Sequence, residues 1–167
     1  MQEGEYGEVR ICVHRTSGSE RSVKILKKNH MDDYQKRTFY NEITILKDLD
    51  HPNIIKMYEF FEDRKRFYIV TDICKGGELF EIIEEKGKFS EKDCCILMKS
   101  ILGCVNYCHL NNVIHRDLKP ENVLMEKGLE SDSIKIIDFG LSVKAEKAAR
   151  YSEMVGTPYY VAPEVMK

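Results

Sequence analysis

The sequence predicts an α+β fold in two parts, an antiparallel sheet carrying one helix and then a mainly helical region. Three observations predict it. The first third holds short runs rich in β-branched and aromatic residues, separated by turn residues. One segment between those runs has apolar residues three or four apart. After Gly76-Gly77 the pattern becomes helical over two consecutive stretches.

EVRICVH (8–14) and ERSVKILK (20–27) flank the turn RTSGS and predict a hairpin. Residues 32–48 predict a helix, with Phe39, Ile43 and Leu46 on one side, which His51-Pro52-Asn53 ends. IIKMYEFF and RFYIVTD, around the charged turn EDRK, predict two more strands. ELFEIIEEKG predicts a short helix, and residues 90–110 a long one opened by Ser90 and Asp93 as a capping box. Its apolar face is expected to be Cys94, Leu97, Met98, Ile101, Val105 and Cys108. The change of pattern near 73–77 predicts a boundary between a first lobe, 1–73, and a second part, 74–167.

A net charge of −2 gives no basic footprint for nucleic acid. No apolar run reaches the length of a membrane helix and the N-terminus has no signal-peptide core, so a cytoplasmic or nuclear location and no membrane partner are expected. The six cysteines form no CxxC pair and read as buried free thiols.

Gly4-x-x-Gly7-x-Val9 suits a loop whose backbone N–H groups approach phosphates, or a plain turn. Lys24 on the following strand is expected to point into the cleft beneath that loop, where its amine would hold phosphate oxygens. Glu42 on the next helix is its expected carboxylate partner; the alternative is two solvated charges. His115-Arg116-Asp117-Leu118-Lys119-Pro120-Glu121-Asn122 is more specific. Asp117 offers a carboxylate to a substrate hydroxyl, and Asn122 an amide oxygen to Mg2+. Asp138-Phe139-Gly140 follows an apolar strand and offers a second metal ligand, and Ala162-Pro163-Glu164 closes the segment after it.

In this order the motifs resemble those of eukaryotic Ser/Thr protein kinases, over the whole chain. HPNIIKMYEFFED, DICKGGELFEII and GTPYYVAPEV look like the calcium-dependent members of the calmodulin- and calcium-dependent group. The resemblance implies a bilobal kinase fold, ATP and Mg2+ as cofactors, and protein substrates. By similarity, Lys119 contacts the γ-phosphate, and Thr157 bonds both Asp117 and Lys119. Thr71 is the gatekeeper, the Asp72 carbonyl and Cys74 amide meet the adenine edge, and Val9, Ser22 and Leu124 enclose its ring. Leu46, Met57, His115 and Phe139 match a stacked column formed in the active state. Glu78 and Glu121 match carboxylates that recognise an Arg upstream of the acceptor. Arg116 implies an activation segment that presents negative charge. Glu153 stands where relatives carry a phosphorylated Thr, with Tyr151 and Ser152 as competing switches.

Two substitutions depart from the family pattern. Gln2 replaces a loop glycine, unless the gene start is misread, and Ser22 replaces the usual Ala. The sequence is expected to end before the helices that complete a kinase domain, and to lack a calmodulin-like regulatory segment. That would leave Glu164 without its arginine partner and the 90–110 helix with an uncovered apolar face. A nucleotide-binding pseudokinase and an inactive truncated fragment are the alternatives; Lys24, Glu42, Asp117, Asn122 and Asp138 are all present, which favours an active type.

Overall fold

A computed structural model describes residues 2–4, 7–127, 134–146, 151 and 153–166. Strands β1 (Gln2–Gly4), β2 (Gly7–Val13) and β3 (Glu20–Lys27) lead to helix α1 (Asp33–Asp48). After it come β4 (Met57–Glu62) and β5 (Arg66–Thr71). The five strands form one antiparallel sheet in the order β1-β2-β3-β5-β4. The expected antiparallel sheet with one helix is therefore present, and β1 is a strand that periodicity did not reveal. Helices α2 (Leu79–Lys86) and α3 (Glu91–Leu110) follow, then the pairs β6 (Val113–Ile114) with β9 (Val143–Lys144) and β7 (Val123–Met125) with β8 (Ile134–Ile136).

Local chemistry fixes the helix starts. Asp32 caps α1 by accepting from Gln35 N at 2.7 Å, and Gln35 Oε1 accepts from Asp32 N at 2.9 Å. Ser90 caps α3 by accepting from Asp93 N at 3.1 Å, while its hydroxyl donates to the Asp93 carboxylate. The reciprocal half of a capping box is thus replaced at Ser90 by a side-chain bond.

Two apolar clusters organise the chain. Leu26, Phe39, Ile43, Phe67 and Ile69 join α1 to the sheet, with Phe39 stacked on Phe67 at 4.6 Å between ring centroids. The larger cluster joins Leu46, Ile54 and Ile55 to Cys104, Cys108, Met125, Ile136 and Phe139, and Met57 packs against both.

The segment IIKMYEFF divides. Its strand begins only at Met57, because Ile54 and Ile55 are buried in the larger cluster and Ile55 N donates to Ile136 O at 3.0 Å. The face of α3 is also rotated from expectation. Cys104 and Cys108 are buried, whereas Met98 is exposed and Cys94 and Val105 are only partly covered. The cysteines are free thiols, but only those two are buried; Cys95 is exposed. Among the described residues, no helix is long and apolar enough to cross a membrane.

Candidate active site

The sheet register places the proposed nucleotide residues on one face. Val9 lies opposite Lys24, and Lys24 opposite Ile69; Ser22 lies opposite Thr71. Side chains alternate along a strand, so Ser22 and Lys24 share a face with Leu26, which packs toward α1. Gly4 pairs with Gly7 across the first hairpin. A Cβ at Gly7 would stand 2.1 Å from Ile25 O, so this strand crossing requires glycine.

Lys24 is exposed and Glu42 half-buried. Among the described residues no ion pair within 4.0 Å joins them. Burial holds the Glu42 carboxyl above its ordinary value and the Asp138 charge adds to this, while the Lys24 charge and the Phe139 backbone N–H pull the other way.

The motif from His115 to Asn122 is tightly assembled. Asp117 is 8% exposed. Its Oδ1 accepts from Thr157 N at 2.9 Å and from Thr157 Oγ1 at 2.7 Å. Its Oδ2 lies 3.0 Å from Lys119 Nζ and accepts from Asn122 Nδ2 at 3.1 Å. Lys119 Nζ also donates to Thr157 Oγ1 at 2.7 Å. Burial acts to raise the Asp117 pKa, but the bonds from Thr157, Lys119 and Asn122 outweigh it, so the carboxyl sits below its ordinary value.

Asn122 Nδ2 donates to Asp117 O as well, at 2.8 Å. With both amide hydrogens spent on Asp117, the Asn122 oxygen remains as an acceptor. Asp138 receives a bond from Gly140 N at 3.3 Å. An amide oxygen and a carboxylate are hard donors that fit Mg2+.

His115 and Phe139 meet edge to face at 4.7 Å between centroids, and Phe139 is fully buried with Leu46 in the larger cluster. His115 Nε2 donates to Ile137 O at 3.1 Å and Nδ1 accepts from Asp117 N at 3.3 Å, which specifies the neutral tautomer. Burial is the main cause holding its pKa low. Arg116 and Asp138 have φ values of 67° and 62°, a left-handed conformation that costs about 1 kcal/mol or more for a non-glycine residue. Neighbouring contacts hold both. Arg116 Nε donates to Leu141 O at 2.6 Å and Nη1 to Glu153 Oε2 at 2.8 Å. Gly156, at φ 118°, lets the chain pass Arg116, since a Cβ there would lie 2.9 Å from Arg116 O. Ser152 lies outside the described residues.

Glu78 caps α2, and burial with the Glu81 and Glu121 charges raises its pKa. Glu121 Oε1 accepts from Tyr160 at 3.3 Å, whereas its Oε2 is buried and meets no donor among the described residues. Two carboxylates are thus electrostatically coupled, with acceptor capacity unused.

At the end of β5 Thr71 Oγ1 donates to Asp72 O at 3.1 Å. The Asp72 side chain turns away to Tyr58, Lys56 N and Lys135 at 2.7, 3.0 and 3.1 Å. Burial alone would raise the Asp72 pKa; these partners bring it below its ordinary value. Burial pushes the Cys74 thiol up to about 12. Leu124 lies on β7, bridged to Glu78.

Sequence reasoning missed Asn41, whose amide bonds Gly140 O and Ser142 O, and Lys135, which is 9% exposed and pairs with Asp72. A lysine inside the apolar run Ile134–Ile137 is the signal that marks Lys135; no periodicity marks Asn41.

A family model described as protein kinase domain matches residues 1–167. The chain is 42% identical over 167 residues to calcium-dependent protein kinase 5 of Plasmodium falciparum, covering 100% of this chain and 29% of the relative. It is 45% identical over 168 residues to calcium-dependent protein kinase 4 of the same organism, covering 99% and 32%. The Plasmodium berghei form of the latter is 44% identical over 168 residues, again covering 99% and 32%. The chain spans about a third of the length of these relatives. With the motifs assembled in space and the family matched from end to end, the chain belongs to the protein kinase family.

Proposed function

We propose that this chain carries the nucleotide site and catalytic loop of a Ser/Thr protein kinase, which transfers the γ-phosphate of Mg-ATP to protein hydroxyls. The observation that carries the proposal is the Asp117–Lys119–Thr157–Asn122 cluster. Thr157 and Asn122 fix the carboxylate plane of Asp117, so it can orient an acceptor hydroxyl before bond formation. The low pKa suits an orienting acceptor that takes the proton late. The acceptor oxygen bonds to the γ-phosphorus, the bond to the bridging oxygen breaks with its electron pair on ADP, and the hydroxyl proton passes to Asp117.

Lys119 has three N–H donors and spends two on Asp117 and Thr157, leaving the third for a γ-phosphate oxygen. Lys24, drawn toward Glu42, would hold the α- and β-phosphates. Asn122 Oδ1 and the Asp138 carboxylate would hold Mg2+, which when bound neutralises charge on the phosphate oxygens. Val9, Ser22, Thr71 and Leu124 would enclose adenine, with Asp72 O and Cys74 N at its edge and Gly4 and Gly7 over the phosphates.

Glu78 and the unpartnered Glu121 oxygen support a preference for Arg upstream of the acceptor. A lobe boundary between residues 73 and 74 is supported by the change there from the five-stranded sheet to helices α2 and α3, although the larger apolar cluster spans it. The names of the relatives, calcium-dependent protein kinases, support calcium control, which a calmodulin-like segment beyond these residues would supply. One observation favours a nucleotide-binding pseudokinase instead, namely the missing Lys24–Glu42 ion pair. Transfer from γ-labelled ATP to Ser, Thr and Tyr peptides by the full-length gene product separates the readings. Ser and Thr labelling that Lys24→Met and Asp138→Ala abolish is expected; nucleotide binding without labelling would establish the pseudokinase.

A further inference from the structure

Three successive carbonyls after Asp138-Phe139 are each captured by a side chain from another part of the molecule. Asn41 Nδ2 donates to Gly140 O at 3.0 Å and to Ser142 O at 2.7 Å. Arg116 Nε takes the carbonyl between them, Leu141 O, at 2.6 Å. Ser142 is 2% exposed and returns its hydroxyl to His115 O at 3.2 Å. Contact between α1 and this segment is close beyond the hydrogen bonds as well. A Cβ at Gly140 would come within 2.7 Å of Thr38 Cγ2, one turn before Glu42 on α1.

Asn41 precedes Glu42 directly, so whatever seats Asn41 also sets the height and rotation of Glu42. Arg116 in turn uses its other nitrogen, Nη1, to hold Glu153 at 2.8 Å. A continuous run of polar contacts therefore leads from Glu153 through Arg116 and residues 140–142 to Asn41. Only a primary amide satisfies this site in full. Its two hydrogens reach two carbonyls two residues apart, whereas a carboxylate would set lone pairs against them and an aliphatic chain would leave both unpaired.

Resting on the kinase reading above, we infer that Asn41 is a positioning residue that couples the charge at Glu153 to the placement of Glu42 and Asp138. Glu153 steadies Arg116, Arg116 steadies the 140–142 backbone, and Asn41 locks α1 to that backbone. The Lys24–Glu42 pair and the metal carboxylate then come into register together. Asn41 itself touches neither substrate nor metal.

The test uses the full-length gene product, with Asn41→Asp, Asn41→Gln, Glu153→Gln and the double variant Asn41→Asp/Glu153→Gln. Losing two hydrogen bonds should lower kcat by about tenfold in Asn41→Asp and raise the Mg2+ concentration for half-maximal rate by a similar factor. KM for the acceptor peptide should stay within about twofold, because the peptide contacts are untouched. Asn41→Gln keeps the donors and should recover most of the rate. In the double variant the two losses should not multiply, since both break one line of contacts. Multiplying losses, an unchanged Mg2+ requirement, or Asn41→Gln as poor as Asn41→Asp would each overturn the inference.

Amide hydrogen exchange supplies a readout that needs no catalysis. Glu153→Gln should speed exchange in 140–142 and in α1 around Asn41, and should add nothing once Asn41 is Asp. If the unsubstituted protein transfers no phosphate, the kinase reading fails and exchange alone judges the coupling. Unchanged α1 exchange in Glu153→Gln would then overturn it.

Discussion

Arg116 reaches Glu153 at 2.8 Å through Nη1 while its Nε stays bonded to Leu141 O at 2.6 Å. The Arg116 side chain is mostly buried at 18% exposure and that of Glu153 is open at 70%, so a fixed arginine meets a carboxylate arriving from solvent. A phosphate in that place would carry about −1.5 to −2 charge. The carboxylate offers less charge, but it needs no modifying enzyme.

Phosphatase-treated full-length protein, freed of any inhibitory segment, should therefore be active. Glu153→Lys should lower kcat by about tenfold or more by reversing the charge, and Glu153→Gln by only a few-fold because an oxygen acceptor remains. Tyr151 is a poor competing switch, since its hydroxyl already bonds Glu146 N and Lys144 O. Steady-state rates with intact-mass confirmation check this. Activity that appears only after Tyr151 or Ser152 is phosphorylated would remove Glu153 from the role.

Glu42 shows a conflict between stability and use. Its raised pKa means that folding favours the neutral carboxyl. That stability is present at acid pH and is lost as pH rises from the unfolded value of 4.5 through the folded value. Glu42→Gln should thus melt higher at neutral pH, by about 1 kcal/mol of stability, yet transfer phosphate poorly. Urea melts at neutral and mildly acid pH, beside rates, measure both effects. A destabilised Glu42→Gln would mean the carboxylate is already well paired.

His115 and Asp117 titrate with the opposite sign. Both have folded pKa values below their unfolded ones, His115 through burial and Asp117 through its donors. Each contributes stability above its unfolded value that is lost as pH falls through the folded one. For His115 the loss should begin near pH 6.5. The neutral variant His115→Gln should flatten the pH dependence of the melting midpoint just below that pH. An unchanged slope would show that other groups dominate.

Substrate choice is testable at Glu78. Charge reversal, Glu78→Lys, should lower kcat/KM for peptides with Arg three residues before the acceptor by about tenfold, while Mg-ATP binding stays within twofold. A peptide library with acidic or proline-directed preference would contradict the assignment.

Motifs whose chemistry is local were legible in the sequence. Asp117, Lys119 and Asn122 lie in one short run, and they meet at 3.1 Å or closer; Thr157 was expected beside Asp117 and Lys119 only through the resemblance, and it bonds both. The sheet was readable because its runs are rich in β-branched and aromatic residues and are separated by turn residues such as RTSGS and EDRK. Contacts between a helix and a distant irregular segment were not legible. Asn41 reaches carbonyls about a hundred residues away, and no periodicity encodes such a bond. The α3 face was read as a broad stripe, but packing buries only the edge containing Cys104 and Cys108. Ile54 and Ile55 read as strand because burial and strand pairing leave the same apolar signature.

The decisive measurement is single-turnover transfer by dephosphorylated full-length protein with Mg-ATP and matched Ser and Tyr peptides. Phosphate is expected on the Ser peptide alone, at a rate that Asp117→Asn abolishes while leaving Mg-ATP protection of the melt, about 2.7 kcal/mol at one hundred times the dissociation constant, in place. Near-normal transfer by Asp117→Asn, or protection by Mg-ATP with no transfer from the unsubstituted protein, would contradict the kinase reading.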